Sequence, residues 1–226
     1  MTMRLSAGLC LVACTPVVDV GADAAVSERA LFEAGITPID AFRHVRLRGE
    51  TRYDTVDIDG MPAIEARPMA SASGLVLPVD IDLATCMGLR WAWRVDDLQP
   101  SADLRARTGD DVAAGLFVLF GVPGALTPPE DVPILRYVWS GGSEAPGSII
   151  ANPYQPEAVR NVVIRSGDVG LGTWQIEERD IAADFEAAFG HAPVRSIEAI
   201  ALFSDNDQTR EPTLAYFGWA KSVCTG

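Results

Sequence analysis

Hydrophobic and polar residues alternate with a period of two along most of the chain, which is typical of half-buried β-strands. The clearest hairpin pattern joins residues 52–58 and 63–67 through Asp59-Gly60, a dipeptide that suits a type I′ turn. Residues 112–120 are apolar almost throughout, as expected of a central strand that is covered on both faces. Further strands are predicted over residues 75–81, 89–95, 133–139, 161–165, 173–178, 196–203 and 213–223.

Two short helices interrupt this pattern. The first is predicted to follow Ser27 and to end before Gly35, and the second covers residues 181–189 between Asp180 and Gly190. The chain has no repeated unit and no alternation of strands with helices. The pattern therefore predicts an all-β, mostly antiparallel sandwich of the jelly-roll type, with one short N-terminal helix and one late helix.

The first residues have the layout of an export signal. A single basic residue precedes an apolar run of about half the roughly 20 residues that a membrane-spanning helix needs. The run ends in Leu11-Val12-Ala13-Cys14, which resembles the bacterial lipoprotein box, where the cysteine carries the lipid. We expect a signal peptide over residues 1–13, a tether over residues 14–25 and a single sandwich domain over residues 26–226, anchored through Cys14 and facing the periplasm.

Alternatives stay open for the N-terminus and for the thiols. Ala22-Asp23-Ala24 would serve as an ordinary cleavage site and give a soluble periplasmic protein, and the apolar start could instead be a buried segment. Export would place the domain in an oxidising compartment, where Cys86 and Cys224 could form a disulfide. Two separate buried thiols are the alternative, because spacing does not show how close the two Cα atoms lie.

The charge balance excludes some classes of partner. The 226 residues include 31 acidic and 18 basic side chains, which gives a formal net charge of −13. Such a surface repels nucleic acids and anionic lipid headgroups unless it carries a local basic stripe. The arginines at 43, 46, 48 and 52 are interspersed with acids and are typical of a solvated strand edge. We therefore expect no nucleic-acid partner, and the sequence does not indicate the oligomeric state.

Candidate ligand-binding residues lie on the predicted strands. Trp91 and Trp93 share one strand face, where they either present a flat apolar surface to a sugar ring or fill the core. We expect them in the core, so that the opposite face meets solvent, another layer or a ligand. Its arginines could equally pair with acids on a solvated sheet. The candidate ligand-binding set is Arg90, Arg94, Arg136, Asp111 and Glu178.

One predicted loop concentrates the hard oxygen ligands that a calcium site requires. It holds Asp205, Asn206 and Asp207, which are the candidate metal ligands. The alternative is a purely conformational turn, because Asp and Asn bond their own backbone. The two histidines have no metal-ligand spacing, so the only cofactor that the sequence suggests is Ca²⁺, with none as the alternative.

Several sequence motifs follow one another along the chain. In order, they are Leu89-Arg90-Trp91-Ala92-Trp93-Arg94, Asp110-Asp111-Val112-Ala113-Ala114, Tyr137-Val138-Trp139-Ser140, Trp174, Glu178-Arg179-Asp180, Phe189-Gly190 and Asp205-Asn206-Asp207-Gln208-Thr209. Together they resemble the bacterial family catalogued as domain of unknown function 3047. The resemblance spans residues 42–223. It implies no established activity, and family members typically carry an arginine where this chain has Gly115. By shape alone, the predicted sandwich is similar to galactose-binding-like domains.

These patterns leave three classes of function open. The leading hypothesis is a cell-envelope lipoprotein that acts as a non-catalytic binding module for a glycan or another polar small molecule. The second is a carbohydrate-active hydrolase that uses Asp and Glu, although no catalytic residue can be assigned from the sequence. The third is a structural or assembly lipoprotein. In each class, the predicted partner at the N-terminus is a membrane, reached through the lipid.

Overall fold

The computed structural model describes residues 26–121, 126, 132–193 and 196–225. The predicted signal peptide, the tether and Cys14 lie outside these residues. No helix in the described part of the chain is long and apolar enough to cross a membrane. The described elements are β1 (Val26–Glu33), a 3₁₀ turn (Ile39–Ala41), β2 (Arg43–Arg48), β3 (Arg52–Ile58), β4 (Met61–Arg67), β5 (Ala72–Ile81), β6 (Gly88–Asp97), β7 (Ala114–Leu119), β8 (Ile134–Ser140), β9 (Ile149–Ala151), β10 (Val159–Ser166), β11 (Gln175–Asp180), α1 (Ile181–Phe189), β12 (Ile197–Asp205) and β13 (Leu214–Thr225).

The strands form two sheets. One sheet has the order β11-β6-β13-β4-β3, with β1 also paired to β13, and the other has the order β2-β5-β12-β7-β8-β10-β9. Among the described strand pairs, β8 and β10 run parallel and the others run antiparallel. The fold is a mostly antiparallel, jelly-roll-like β-sandwich, as the alternating pattern predicted.

Local signals in the sequence place the hairpin and the late helix correctly. Asp59 and Gly60 both have positive φ, at 57° and 80°, so they turn β3 back onto β4 as a type I′ turn requires. The helix α1 begins after Asp180, whose side chain accepts a 2.9 Å hydrogen bond from the backbone N–H of Ala183. It ends at Gly190, which adopts the left-handed conformation with φ 81°.

The predicted N-terminal helix is wrong. Residues Val26–Glu33 form a strand that pairs antiparallel with β13, from Val26 opposite Thr225 to Glu33 opposite Trp219. A helix of this length is marginal by itself, whereas the strand satisfies backbone groups of β13 and buries Phe32 in the core. Gly35, with φ 81°, starts the turn after the strand instead of ending a helix.

The core between the sheets is built on aromatic side chains. Trp91 and Trp93 on β6 are buried, and so are Tyr137 and Trp139 on β8. The rings of Trp91 and Tyr137 stack with their centroids 5.2 Å apart, and those of Trp93 and Trp139 lie 6.1 Å apart. The prediction that the tryptophan face of β6 is core is confirmed, so these rings do not present a surface to a sugar.

A second apolar layer covers the outer face of the seven-stranded sheet. Phe117, Val138 and Phe203 project from this face, and they form one buried cluster with Leu104, from the connection between β6 and β7, and with Ile150 on the edge strand β9. The described connections therefore help to cover the outer face of this sheet, whereas the outer face of the six-stranded sheet carries charged side chains. The candidate functional site lies on this outer side, where the connections meet the seven-stranded sheet.

Candidate functional site

The candidate ligand-binding residues divide between the two sheets. Arg90, Arg94 and Glu178 lie on the outer face of the six-stranded sheet, and Glu178 is directly opposite Arg90. Arg90 pairs with Glu28 at 2.8 Å, and Arg94 pairs with Asp96 at 2.6 Å. These arginines are thus paired with acids on a solvated sheet face, and the structure does not bring them near the rest of the set.

Asp111 and Arg136 lie instead beside a pocket on the outer side of the seven-stranded sheet. The pocket has a volume of about 310 Å³. Its lining comes from strands β2, β5, β8 and β12 and from the connections around residues 110, 152 and 207. The lining residues are Leu47, Arg48, Ala72, Asp110, Arg136, Asn152, Tyr154, Gln155, Phe203, Asp205, Asp207 and Gln208.

Arg136 brings a buried positive charge to this pocket. Its guanidinium lies over the ring of Phe117, 4.7 Å from the centroid, and its Nη1 is 4.0 Å from Oδ2 of Asp110. Its Nε is buried without a hydrogen-bond partner among the described residues, and both polar side-chain atoms of Asn161, its neighbour on β10, share that state. Buried donors without partners are costly, so this side of the pocket can bind a polar group.

Asp110 faces Arg136 and has an unusual proton affinity. Its Oδ2 accepts a 2.6 Å hydrogen bond from Nδ2 of Asn152. Burial raises the pKa of the Asp110 carboxyl to about 6, because desolvation outweighs the opposing effects of Arg136 and of the Asn152 amide. Asp110 can therefore gain or lose a proton close to neutral pH, as an acid catalyst would have to.

Asp111 holds the loop at residues 205–209. Its two oxygens accept hydrogen bonds from the backbone N–H groups of Gln208, at 3.2 Å, and Thr209, at 2.6 Å. In return, Oδ1 of Asp205 accepts a 2.7 Å hydrogen bond from the backbone N–H of Val112. Two segments far apart in sequence are thus joined through their carboxylates.

Asn206, one of the three candidate metal ligands, uses its side chain to hydrogen-bond two backbone groups. Its Oδ1 accepts a hydrogen bond from the backbone N–H of Ser71 at 3.2 Å, and its Nδ2 donates to the backbone oxygen of Glu211 at 2.9 Å. Asp111 joins Asp205 and Asp207 in a cluster of three acids. Carboxylate oxygens of Asp111, Asp205 and Asp207 all lie within 4.8 Å of one another.

Burial of these acids shifts their proton affinity. The pKa of Asp205 is held well above its ordinary range, first by desolvation and then by the charge of Asp111. The pKa of Asp207 is raised by the same two causes, although Arg48 opposes them through a 3.2 Å ion pair. The cluster is therefore short of compensating positive charge.

The residues that close the pocket from the connection before β10 were not predicted from the sequence. Asn152, Tyr154 and Gln155 lie in this segment, and Oδ1 of Asn152 accepts hydrogen bonds from the backbone N–H groups of the other two. The Tyr154 ring is half exposed and lies under the Arg107 guanidinium at 5.2 Å. An Asn-Pro dipeptide in a Pro- and Gly-rich connection was the available signal, because such loops often carry binding residues.

Gly115 stands where the family resemblance implies an arginine. A Cβ atom on Gly115 would lie 2.6 Å from Cε1 of Phe117, so the phenyl ring occupies the space above the glycine. The Arg136 guanidinium rests over that same ring. The positive charge of this region therefore comes from β8 and not from β7.

Comparison with known proteins identifies a family. No curated protein sequence matches the chain. Similar solved structures include winged bean acidic lectin complexed with methyl-alpha-D-galactose, at 11% identity over 89% of this chain and 100% of that chain, with a TM-score of 0.42, too low to say anything about function. The family described as "Protein of unknown function (DUF3047)" matches residues 40–220. Because this match covers most of the chain and agrees with the motifs found in the sequence, the protein belongs to the DUF3047 family.

Proposed function

We propose that the protein is a non-catalytic binding module whose pocket takes a hydroxyl-rich small molecule, such as one unit of a glycan. One observation carries this proposal: a buried arginine, Arg136, lines a pocket of about 310 Å³, and its Nε has no hydrogen-bond partner among the residues that the structure describes. A ligand oxygen that reached this Nε would satisfy a donor that the described residues leave unpaired.

The rest of the lining fits the same class of ligand. Phe203 and Ala72 give the pocket an apolar side, against which the C–H groups of a sugar ring can pack. Asn152, Gln155 and Gln208 bring amides, which both donate and accept hydrogen bonds. Small-molecule sites combine apolar surface with placed polar groups, and a volume of about 310 Å³ suits one small ring.

The charges around the pocket favour a neutral polar ligand over an anion. Three carboxylates line it, from Asp110, Asp205 and Asp207, against the guanidinium groups of Arg48 and Arg136. A carboxylate or phosphate on the ligand would be attracted by Arg136 and repelled by these acids. Hydroxyl groups avoid this conflict, because they can donate to the carboxylates and accept from the guanidinium.

The experiment is a ligand screen followed by calorimetry on the purified protein. A panel of neutral and acidic mono- and oligosaccharides is screened by thermal shift, and the hits are titrated into wild type and into Arg136→Met. We expect Arg136→Met to weaken binding by about tenfold or more. Arg94→Met, a matched change on the other sheet, should bind like wild type. The proposal fails if no sugar binds, or if folded Arg136→Met binds as well as wild type.

One observation favours a hydrolase as the second candidate. Asp110, with its pKa of about 6, shares the pocket with other carboxylates, and glycoside hydrolases use such a pair as acid and base or nucleophile. The test is release of reducing sugar from oligosaccharides that bind. Hydrolysis that disappears in Asp110→Asn while binding persists would replace the binding module with an enzyme.

We also propose that the module works in the bacterial cell envelope, facing the periplasm and held to a membrane by a lipid on Cys14. The lipoprotein-like box at residues 11–14 supports this location. A disulfide between Cys86 and Cys224 adds support, because such bonds persist in oxidising compartments.

A further inference from the structure

A buried acidic triad, formed by Asp111, Asp205 and Asp207, stands beside the binding pocket. Its carboxylate oxygens lie within 4.8 Å of one another, and none of the three residues is more than 6% exposed. The three arrive from two distant segments, the chain before β7 and the end of β12. Like charges this close and this deep repel one another unless protons or a cation neutralise them.

A second observation concerns one oxygen of the triad. Oδ2 of Asp207 pairs with Arg48 and also accepts a hydrogen bond from Gln208, but Oδ1 is buried and has no partner among the described residues. The Asp207 side chain is 5% exposed, so bulk water does not replace the missing partner. A buried carboxylate oxygen without a donor is costly, and a bound cation would remove that cost.

The neighbouring positive charges do not neutralise the triad. Arg136 interacts with the charge of Asp205, but its guanidinium also faces Asp110, which lies outside the triad. Arg48 reaches Asp207 alone and is 60% exposed, which weakens its effect through solvent screening. The direct partners of Asp205 and Asp111 in the described residues are neutral backbone N–H groups. The raised pKa values of Asp205 and Asp207 agree with a site that lacks a cation.

We propose that Asp111, Asp205 and Asp207 bind one calcium ion at the wall of the pocket. Carboxylate oxygens are the hard ligands that Ca²⁺ prefers. With Ca–O distances of about 2.3–2.6 Å, two ligands of one ion lie at most about 4.6–5.2 Å apart, and the carboxylate oxygens of the triad lie within 4.8 Å of one another. Mg²⁺ usually keeps several waters and binds through one or two carboxylates, so a group of three carboxylates favours Ca²⁺.

The backbone bonds of the triad do not compete with this role. A carboxylate has about four lone-pair sites, and the N–H groups of Gln208 and Thr209 use two of those on Asp111. Ca²⁺ takes about six to eight oxygens, so several positions would be left for water. Because Asp205 and Asp207 also line the pocket, hydroxyls of a bound sugar could fill some of these positions, a step that rests on the proposed function.

The test uses calcium alone, without sugar, so that its failure leaves the binding proposal standing. Protein stripped with a chelator is titrated with CaCl₂ by calorimetry and melted with and without calcium. We expect one site, with a dissociation constant of about 10⁻⁴ M, as in extracellular calcium modules, and a higher melting temperature with calcium. Absence of both heat and a thermal shift would overturn the proposal, and tighter binding of Mg²⁺ would overturn the choice of ion.

Matched variants locate the site. Asp207→Asn keeps the shape of the side chain, and we expect it to weaken calcium binding about tenfold or more. Without calcium, the same change should raise the melting temperature, because it removes one of the repelling charges; a merely structural role of Asp207 predicts the opposite sign. Asp54→Asn, an exposed acid on the other sheet, should change neither result. Full calcium affinity in Asp207→Asn would overturn the assignment of the triad.

Discussion

Oδ2 of Asp111 accepts a 2.6 Å hydrogen bond from the backbone N–H of Thr209, although 97 residues separate the two in sequence. Oδ1 of Asp111 accepts a second hydrogen bond, from the backbone N–H of Gln208. One buried carboxylate therefore fixes the loop that carries Asp205 and Asp207 against the segment that carries Asp110. The pocket and the acidic triad depend on this link, so its removal should affect both stability and binding.

Loss of the Asp111 carboxylate should destabilise the fold. Asp111→Ala removes the acceptor for two partly buried backbone N–H groups, and we expect the free energy of unfolding to fall by about 1–3 kcal/mol. Urea denaturation measures this change. Asp111→Asn is the matched control, because it keeps one acceptor oxygen and should lose less. An Asp111→Ala protein as stable as wild type would show that the loop is held by other contacts.

Reduction of the Cys86–Cys224 disulfide should lower stability. The bond joins the turn before β6 to the end of β13 and closes a loop across a sequence separation of 138 residues. In the chain-entropy treatment, such a crosslink contributes about 4–5 kcal/mol. We expect no free thiol from these two residues in the native protein, and a lower melting temperature after reduction. The double variant Cys86→Ser/Cys224→Ser should melt like the reduced protein, and rapid native alkylation of either cysteine would contradict the bond.

His44 should make stability depend on pH. Its Nε2 lies 2.8 Å from Oγ of Ser73, and its pKa is lowered below the model-compound value of 6.5, first by burial and then by Arg46, while Glu50 opposes the shift. A lowered folded-state pKa means that the unfolded chain binds the proton more readily. The stability from neutral His44 is therefore full above about pH 6.5 and is lost as the pH falls through the folded-state pKa.

The measurement compares melting temperatures of wild type and His44→Gln between about pH 7.5 and pH 5. Glutamine cannot titrate in this range but can still form a hydrogen bond with Ser73. We expect the advantage of wild type to shrink as the pH falls. A constant difference across this range would show that His44 titrates alike in the folded and unfolded states.

Membrane attachment should require Cys14. If Leu11-Val12-Ala13-Cys14 acts as a lipoprotein box, Cys14→Ser should move the protein from the membrane fraction to the soluble envelope fraction. Labelling with a radioactive fatty acid should mark wild type but not the variant. Cys10→Ser, within the predicted signal peptide, is the matched control and should leave both results unchanged. Membrane-bound Cys14→Ser protein, together with unlabelled wild type, would contradict the anchor.

The strands and the late helix could be predicted because their signals are local. Alternation along residues 89–95 places the tryptophans of β6 on one face, and Asp59-Gly60 encodes a turn by its own backbone preferences. The N-terminal segment was assigned wrongly for the same reason. A Ser, an acidic first turn and a following Gly are local helix signals, but pairing with β13 decides the outcome and is not visible in a short window.

The candidate site could be predicted only in part. Arg136, Asp111, Asp205 and Asp207 were identified by residue type, but Arg90, Arg94 and Glu178 were grouped with them although they belong to the other sheet. Residue type indicates what a side chain can bind, but not which side chains share a cavity. The pairing of β7 with β8 and β12 makes that choice here.

The sequence by itself determined the β-rich class, the strand faces, the late helix and the family, because hydrophobic period, caps and motifs act over a few residues. Only the tertiary structure decided the pairing of β1, the apolar layer on the outer face of the seven-stranded sheet and the pocket beside that layer. Asp110, Asn152 and Asp205 meet there because strand order brings three distant connections to one place. The raised pKa values of Asp110 and Asp205 and the unpaired Nε of Arg136 arise from burial, and burial is a property of the assembled fold.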